Sequence, residues 1–291
     1  MTYLKKIHYG NEKILYDISV DDVHCYYSNG ILSHNSWILV AIAQHAVKLG
    51  KNVIYYTLEL DEDYVGLRHD AKTSGYGSQD IKFHQADVFN AVSKLAGNLI
   101  IKYYPTKNAS IDTIKTHIVR CESIGFKPDM IIIDYPDLLK STMSVRSEKR
   151  HELENIYELT RGLGGELRVP VWVASQANRS SLDDEIIEAG RISESYNKIM
   201  IADFVISLQR KAKDKLAHTG RIHVIKNRLG PDGFTFPSKM NASNGSIQMF
   251  EEKSDDGKDT TKATAQGGKM ERMKIAEKLN DLKNNKLDNL I

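Results

Sequence analysis

Asn35 and Ser36, with His34 in front of them, are three residues whose types and order can break and remake a peptide bond. The Asn side-chain amide can attack its own backbone carbonyl, close a five-membered succinimide and cut the bond to the next residue. Unassisted, that reaction is slow. A histidine directly before the Asn can polarise the carbonyl or protonate the departing amine, which is general acid–base work at neutral pH, and His34 is so placed. A hydroxyl on the first residue of the released segment can hold an acyl group as an ester and pass it to the freed amine through a second five-membered ring. Ser36 supplies that hydroxyl.

A second set of residues stands at the ends of apolar runs. Ile131-Ile132-Ile133-Asp134 reads as a buried strand ending in a carboxylate, the form of a Walker B element that holds Mg²⁺ directly or through a water. Glu59 also follows an apolar run, and Ser175-Gln176-Ala177-Asn178-Arg179 follows a third. In a parallel sheet all three strand ends share the carboxyl edge, where ligands bind. Packing alone does not explain three polar strand ends after three apolar strands.

The elements that must position these residues follow from periodicity. Residues 1–35 alternate apolar and polar, with Ile14, Tyr16, Ile18 and Val20 on one face, which predicts half-buried strands in a small β element. Hairpins without further strands are marginal, so this piece is expected to close onto a partner. From Ser36 the period changes: 36–49 predicts a largely apolar helix stopped by Gly50. Strands are expected at 52–58, 99–103, 130–134, 171–175 and 204–208, with a polar helix containing Arg68 and helices over 111–124 and 148–168. Continuous apolar strands alternating with helices predict an α/β fold, a parallel sheet covered on both faces. Residues 221–226, 234–236 and 247–250 read as antiparallel strands added at its end. After Glu251 the composition turns into a polar linker, followed by Met270, Met273, Ile275, Leu279 and Leu282 at near-helical spacing. That last stretch is either a solvated helix or a docking helix.

Composition sets bounds. At 291 residues and 41% apolar, the chain can bury a sizeable core as one large or two modest domains. The 40 basic and 38 acidic residues leave a net charge of +2, so any nucleic-acid site has to be a local patch. Cys25 and Cys121 form no metal or disulfide pattern, which suits a reducing cytosol. No run approaches the roughly 18–20 apolar residues that span a bilayer, so no membrane partner is expected.

The run from Leu15 to Asn35 closely resembles the C-terminal splicing block of inteins. It carries the block's aspartate, Asp17, its upstream histidine, His24, an Asn29-Gly30 turn before a short apolar strand, the penultimate His34, the terminal Asn35 and a Ser36 nucleophile. Met1-Thr2-Tyr3-Leu4-Lys5-Lys6-Ile7 also looks like the start of a naturally split intein's short C-terminal half. The resemblance implies that a separate chain carries the complementary N-terminal half, and it assigns assistance at Asn35 to His34 and His24.

Residues 36–251 resemble the C-terminal RecA-like ATPase domain of DnaB-type replicative hexameric helicases, particularly those of phages. Thr57-Leu58-Glu59-Leu60 is similar to the motif whose glutamate orients the attacking water. Ile133-Asp134-Tyr135-Pro136-Asp137-Leu138-Leu139 resembles the Walker B segment, although Pro136 stands where a larger side chain is usual. The stretch from Val169 to Arg179 matches the approach to the γ-phosphate-sensing glutamine, here Gln176, and Arg191-Ile192-Ser193-Glu194-Ser195 falls where the family has a DNA-backbone loop. Ile225-Lys226-Asn227-Arg228-Leu229-Gly230-Pro231 resembles the hairpin whose Lys and Arg reach a neighbouring subunit's nucleotide. The resemblance implies ATP and Mg²⁺ as cofactors, with Ser36 and Asp134 as metal ligands and with Gln176, Lys226 and Arg228 at the nucleotide. It also implies single-stranded DNA at Arg179, Arg191, Ser193 and Glu194, a homo-hexamer, a primase or loader as partner of the tail, and the host cytoplasm as location.

No Gly-x-x-x-x-Gly-Lys-Ser/Thr phosphate loop occurs in the sequence, although the fold needs one before its first helix. The family's helix begins at the Ser/Thr of that motif, and here the corresponding helix begins at Ser36. The expectation is therefore an intein junction inside the phosphate loop, with residues 1–35 a split-intein fragment, 36–251 an ATPase domain lacking its first strand and Gly-rich loop, and 252–291 a tail. Splicing in trans would yield the helicase. The alternatives are a RecA-like recombinase or ATPase carrying the same intein half, and a degenerate binding module that keeps only the fold.

Overall fold

The computed structural model describes residues 2–9, 13–20, 35–142, 149–175 and 196–251. Thr2–Tyr9 (β1) and Lys13–Val20 (β2) pair antiparallel, with Lys5 opposite Asp17. The alternation read over 14–20 is thus carried by a strand of a hairpin.

At Asn35–Lys48 (α1) the chain turns helical, and Gly50 ends the run at φ +78°. Val53–Thr57 (β3) follows, every residue buried, and then Glu62–Ser74 (α2). The Asp61 side chain caps α2 by accepting from the Tyr64 amide at 3.0 Å. After Gln85–Val92 (α3) and Leu99–Tyr103 (β4), Ile111–Ser123 (α4) starts in a capping box between Ser110 and Thr113. Met130–Asp134 (β5), Lys149–Leu167 (α5) and Val171–Val173 (β6) complete this part.

The four strands form one sheet in the order β4-β3-β5-β6, all parallel, with Thr57 opposite Asp134 and Ile131 opposite Val171. Alternate residues of each strand feed two cores. Val53, Tyr55 and Ile132 pack against Leu39, Val40 and Val47 of α1. Ile54, Tyr56, Ile131 and Ile133 pack against Ile114 and Ile118 of α4 and Ile156 and Leu163 of α5. Burial on both faces is why these strands read as unbroken apolar runs.

Beyond Tyr196–Ile201 (α6) the pairing changes. Phe204–Gln209 (β7), Ala212–Leu216 (α7), Thr219–Asn227 (β8), Thr235–Asn241 (β9) and Ser246–Met249 (β10) build a second sheet in the order β10-β9-β8-β7, antiparallel throughout. This corrects the expectation that 204–208 is a strand of the parallel sheet. Its partner is β8, brought back through the short α7, and Phe204 at its start is 42% exposed, unlike the fully buried β3. The strands over 221–226, 234–236 and 247–250 were expected as additions to the first sheet; they belong with β7 instead. On β8, Gly220, Ile222 and Val224 are buried in alternation, as in a sheet with one covered face.

Helix α1 touches both halves. Trp37 lies so close to Gly245, in the β9–β10 turn, that a Cβ there would sit 2.2 Å from Trp37 Cε3. Gly245 also has φ +63°, so both space and backbone require glycine. Among the described residues no helix is long and apolar enough to cross a membrane. The expected linker and amphipathic stretch over 252–291 lie outside the described residues.

Candidate active site at the carboxyl edge of the parallel sheet

Asp134 ends β5 and is buried. Two hydroxyls reach it. Ser36, in the first turn of α1 and only 5% exposed, hydrogen-bonds to its carboxylate. Tyr55 donates to Oδ2 at 2.8 Å. The β3–β5 register sets the second contact, because Tyr55 opposes Ile132 and so lies on the same sheet face as Asp134, two residues further along. The Asp134–Tyr135 peptide is cis.

Glu59 stands beyond the end of β3. The chain turns there with the Thr57 hydroxyl donating to the Leu60 carbonyl at 2.6 Å and the Leu58 amide to the Asp134 carbonyl at 2.9 Å. Glu59 is open to solvent. Its carboxyl is raised above the usual range by partial burial and by Asp134, with Arg68 acting against both. Burial likewise raises Asp134, opposed by the hydrogen bonds from Ser36 and Tyr55 and by the Arg68 charge.

Arg68 completes the group. It projects from α2, lies 5.4 Å from the Trp37 ring centroid, and has a buried Nη1 with no hydrogen-bond partner. Its neighbour His69 is buried edge-on to Tyr55 at 5.6 Å, and burial pushes its pKa down to about 3, so the ring is neutral.

The sign of the Asp134 shift yields a prediction. A carboxyl whose folded pKa exceeds its unfolded value contributes stability below the unfolded pKa and loses it as pH rises through the folded one. Asp134→Asn will therefore raise the urea midpoint at pH 7, and the gain will vanish below about pH 3.5, where the unfolded carboxyl is protonated too. Equal midpoint shifts at the two pH values would refute the burial penalty.

A second buried network lies just behind. Lys198 of α6 contacts Asp137 Oδ2 at 2.5 Å and Ser175 Oγ at 3.4 Å, while Tyr157 of α5 donates to Asp137 Oδ1 at 2.7 Å. This ties the segment after β5 and the end of β6 to the helix that follows residue 195.

Of the residues singled out by sequence, Ser36 and Asp134 come together, and Arg68 links Asp134 electrostatically to Glu59. Asn35 opens α1 and Asp17 lies in β2. Lys226 and Arg228 form a separate group. Lys226 Nζ donates to the carbonyls of Ile199 and Met200 at 2.9 and 2.8 Å, and Arg228 Nη1 binds Asp203 at 2.7 Å, a carboxylate that Arg161 Nη2 also holds at 3.0 Å. His24, His34, Gln176, Arg179, Arg191, Ser193 and Glu194 lie outside the described residues. Arg68, Asp137, Tyr157 and Lys198 were not predicted as site residues. Only Asp137 carried a signal, its place in the segment after the β5 strand end.

The donor set suits Mg²⁺. A hydroxyl and a carboxylate are hard oxygen ligands, and Mg²⁺ takes one or two protein carboxylates while phosphates and water complete its shell. Among the described residues no cluster of three or more His, Cys, Asp or Glu side chains gathers to cage another metal.

Residues 35–242 match the family model of the DnaB-like helicase C terminal domain. The chain belongs to that family. A DnaB-like replicative helicase of Enterobacteria phage T4 is 28% identical over 203 residues, covering 66% of this chain and 43% of that protein. The chain thus spans less than half the length of that relative. Two solved structures share the RecA-like α/β fold, each with a TM-score of 0.63. One, described as an ATPase domain, is 18% identical and is matched over 74% of this chain and 80% of its own. The other, a DnaB-like replicative helicase described with its interactions with primase, is 17% identical and is matched over 74% and 56%.

Proposed function

We propose that this DnaB-like domain is half of an ATP site delivered as a precursor. Residues 1–35 act as a split-intein C-terminal fragment that joins 36–251, in trans, to a separate chain carrying the glycine-rich loop. The joined protein is an ATP-dependent replicative DNA helicase that works as a homo-hexamer on single-stranded DNA in the host cytoplasm. One observation carries the reading: Ser36 lies in the first turn of α1 with its hydroxyl on Asp134, while the sequence holds no Gly-x-x-x-x-Gly-Lys before it.

In the joined protein Ser36 and Asp134 hold Mg²⁺, which neutralises charge on the bound ATP phosphates. Glu59 orients the attacking water, and its raised carboxyl pKa suits a group that receives a proton. Arg68 offsets part of the repulsion between the two acids. Gln176 is assigned to the γ-phosphate, Lys226 and Arg228 to a neighbouring subunit's nucleotide, and Arg179, Arg191, Ser193 and Glu194 to single-stranded DNA. The tail is assigned to a primase or loader. In the intein fragment Asn35 cyclises with help from His34 and His24, Asp17 supports the block, and Ser36 accepts the acyl group.

Because the backbone amides and lysine that cradle phosphates are missing, the purified unspliced chain will show no Mg²⁺-dependent ATPase. Mixed with a chain ending in an intein N-terminal half and preceded by Gly-x-x-x-x-Gly-Lys, it will give a ligated product that hydrolyses ATP and displaces strands. ATPase activity in the unspliced chain sinks the split-loop reading. A product that hydrolyses ATP without strand displacement turns the assignment to a recombinase-like ATPase.

A further inference from the structure

Lys198 carries its ammonium into the interior, with only 3% of the side chain exposed. Besides its contacts to Asp137 Oδ2 and Ser175 Oγ, Nζ lies 5.0 Å from the centre of the Tyr157 ring. Asp137 follows Asp134 by three residues, so the pair fixes α6 to the segment that leaves the metal-binding strand end. Stability alone is a weak reason for such a pair, because well-packed apolar side chains in place of a buried ion pair are often no less stable. What apolar packing does not supply is direction. A single carboxylate, held at its other oxygen by the Tyr157 hydroxyl, sets one position for the lysine and for the helix that bears it.

The far end of the same helix leads to the β8–β9 hairpin. The carbonyls that Lys226 holds belong to Ile199 and Met200, the two residues after Lys198. The Ala202 amide donates to the Lys198 carbonyl at 3.2 Å, and the Arg228 amide to the Asp203 carbonyl at 2.9 Å. A connected path therefore runs from Asp134 through Asp137, Lys198 and the α6 carbonyls to Lys226 and Arg228. The neighbouring side-chain contacts lead elsewhere: Asn197 donates to Glu154 of α5 at 2.7 Å, and Arg161, also of α5, shares Asp203 with Arg228. Chains of hydrogen bonds and rigid elements of this kind carry a displacement from one site to another.

We propose that Lys198 is a positioning residue: through α6 it sets the reach of the Lys226–Arg228 hairpin according to where the segment after Asp134 stands, so that a subunit's own nucleotide site governs the arginine it lends to its neighbour. This rests on the reading that Arg228 serves a neighbouring subunit's nucleotide.

The test begins on the full unspliced chain, with Asp137→Asn and Lys198→Met introduced together. That combination keeps an acceptor for Tyr157 and leaves no unpaired charge. Amide hydrogen exchange at Ala202 and Arg228 should rise about tenfold or more, while exchange over 99–103 and the urea midpoint stay native. Lys198→Met alone should lower the midpoint as well, because Asp137 then loses its cation. Native exchange at Ala202 and Arg228 in the double variant overturns the proposal. So does a midpoint that falls equally in both variants with exchange raised throughout, since the pair would then only hold the fold together. The second arm uses ligated, mixed hexamers. Glu59→Gln subunits contribute only their arginine to an active interface, so the double change placed in them reads the hairpin alone. ATPase recovery with Arg228→Ala partners should fall about tenfold, and undiminished recovery overturns the proposal. No recovery even with native Asp137 and Lys198 would refute the trans reading of Arg228; the exchange measurement, which needs neither splicing nor a hexamer, would still decide whether Lys198 sets the hairpin.

Discussion

Alanine at position 36 will abolish ligation while cleavage at Asn35 persists, and cysteine will ligate yet give a product with poor Mg²⁺-dependent ATPase. The two outcomes separate because the same atom serves two chemistries. As acyl acceptor, a thiolate is the better nucleophile, so Cys supports transfer. As a partner of Asp134 in holding Mg²⁺, soft sulfur is a poor substitute for the hydroxyl that hydrogen-bonds there. Several kcal/mol of charge stabilisation rest on such an ion, so a fall of about 10²-fold or more in turnover is expected. Thr should keep the metal wherever splicing tolerates its extra methyl. The readings are ligated product on a gel, then ATPase of that product across a Mg²⁺ titration. A Cys product as active as wild type would remove Ser36 from the metal site, and with it the main support for a junction inside the phosphate loop. Asn35 and Ser36 already stand in the first turn of α1, so the proposed splicing would have to draw them out of it and release the buried Ser36 hydroxyl from Asp134.

Residues that meet one strong local rule were legible from the chain alone. β4 and β5 fall on the residues expected of them, because strands buried on both faces leave unbroken apolar runs with sharp polar ends. The same rule exposed Asp134 and Glu59 as strand-end carboxylates, and the start of α1 exposed Ser36. It misled at β7, where Phe204-Val205-Ile206 is as apolar as a central strand but belongs to the antiparallel sheet. A short, mostly apolar run does not record which strand it pairs with. Arg68 was invisible for another reason. It belongs to a polar helix, and only the packing of α2 over Trp37 turns its guanidinium toward Asp134 and Glu59. Lys198 likewise reads as an ordinary lysine until α6 buries it against Asp137. The short α3, α6 and α7 carry too few turns for a clear helical period.

Arg228→Ala will lower the turnover of the spliced hexamer by about 10³ to 10⁵, the range typical of an arginine supplied across an interface, while changing stability by less than ~1 kcal/mol. The small stability effect follows from its surroundings. Arg228 is 43% exposed and binds Asp203 at 2.7 Å, but Arg161 holds the same carboxylate, so Asp203 keeps a partner when Arg228 swings away. Lys226, by contrast, holds the last carbonyls of α6, and Lys226→Ala should loosen that helix end as well as the site. Subunit mixing isolates the trans role. Hexamers of Arg228→Ala alone or of Glu59→Gln alone will be inactive, because every interface lacks one group. Mixed hexamers contain some interfaces with a native Glu59 on one side and a native Arg228 on the other, so part of the activity will return. Stable mixed hexamers with no recovery would confine Arg228 to its ion pair with Asp203.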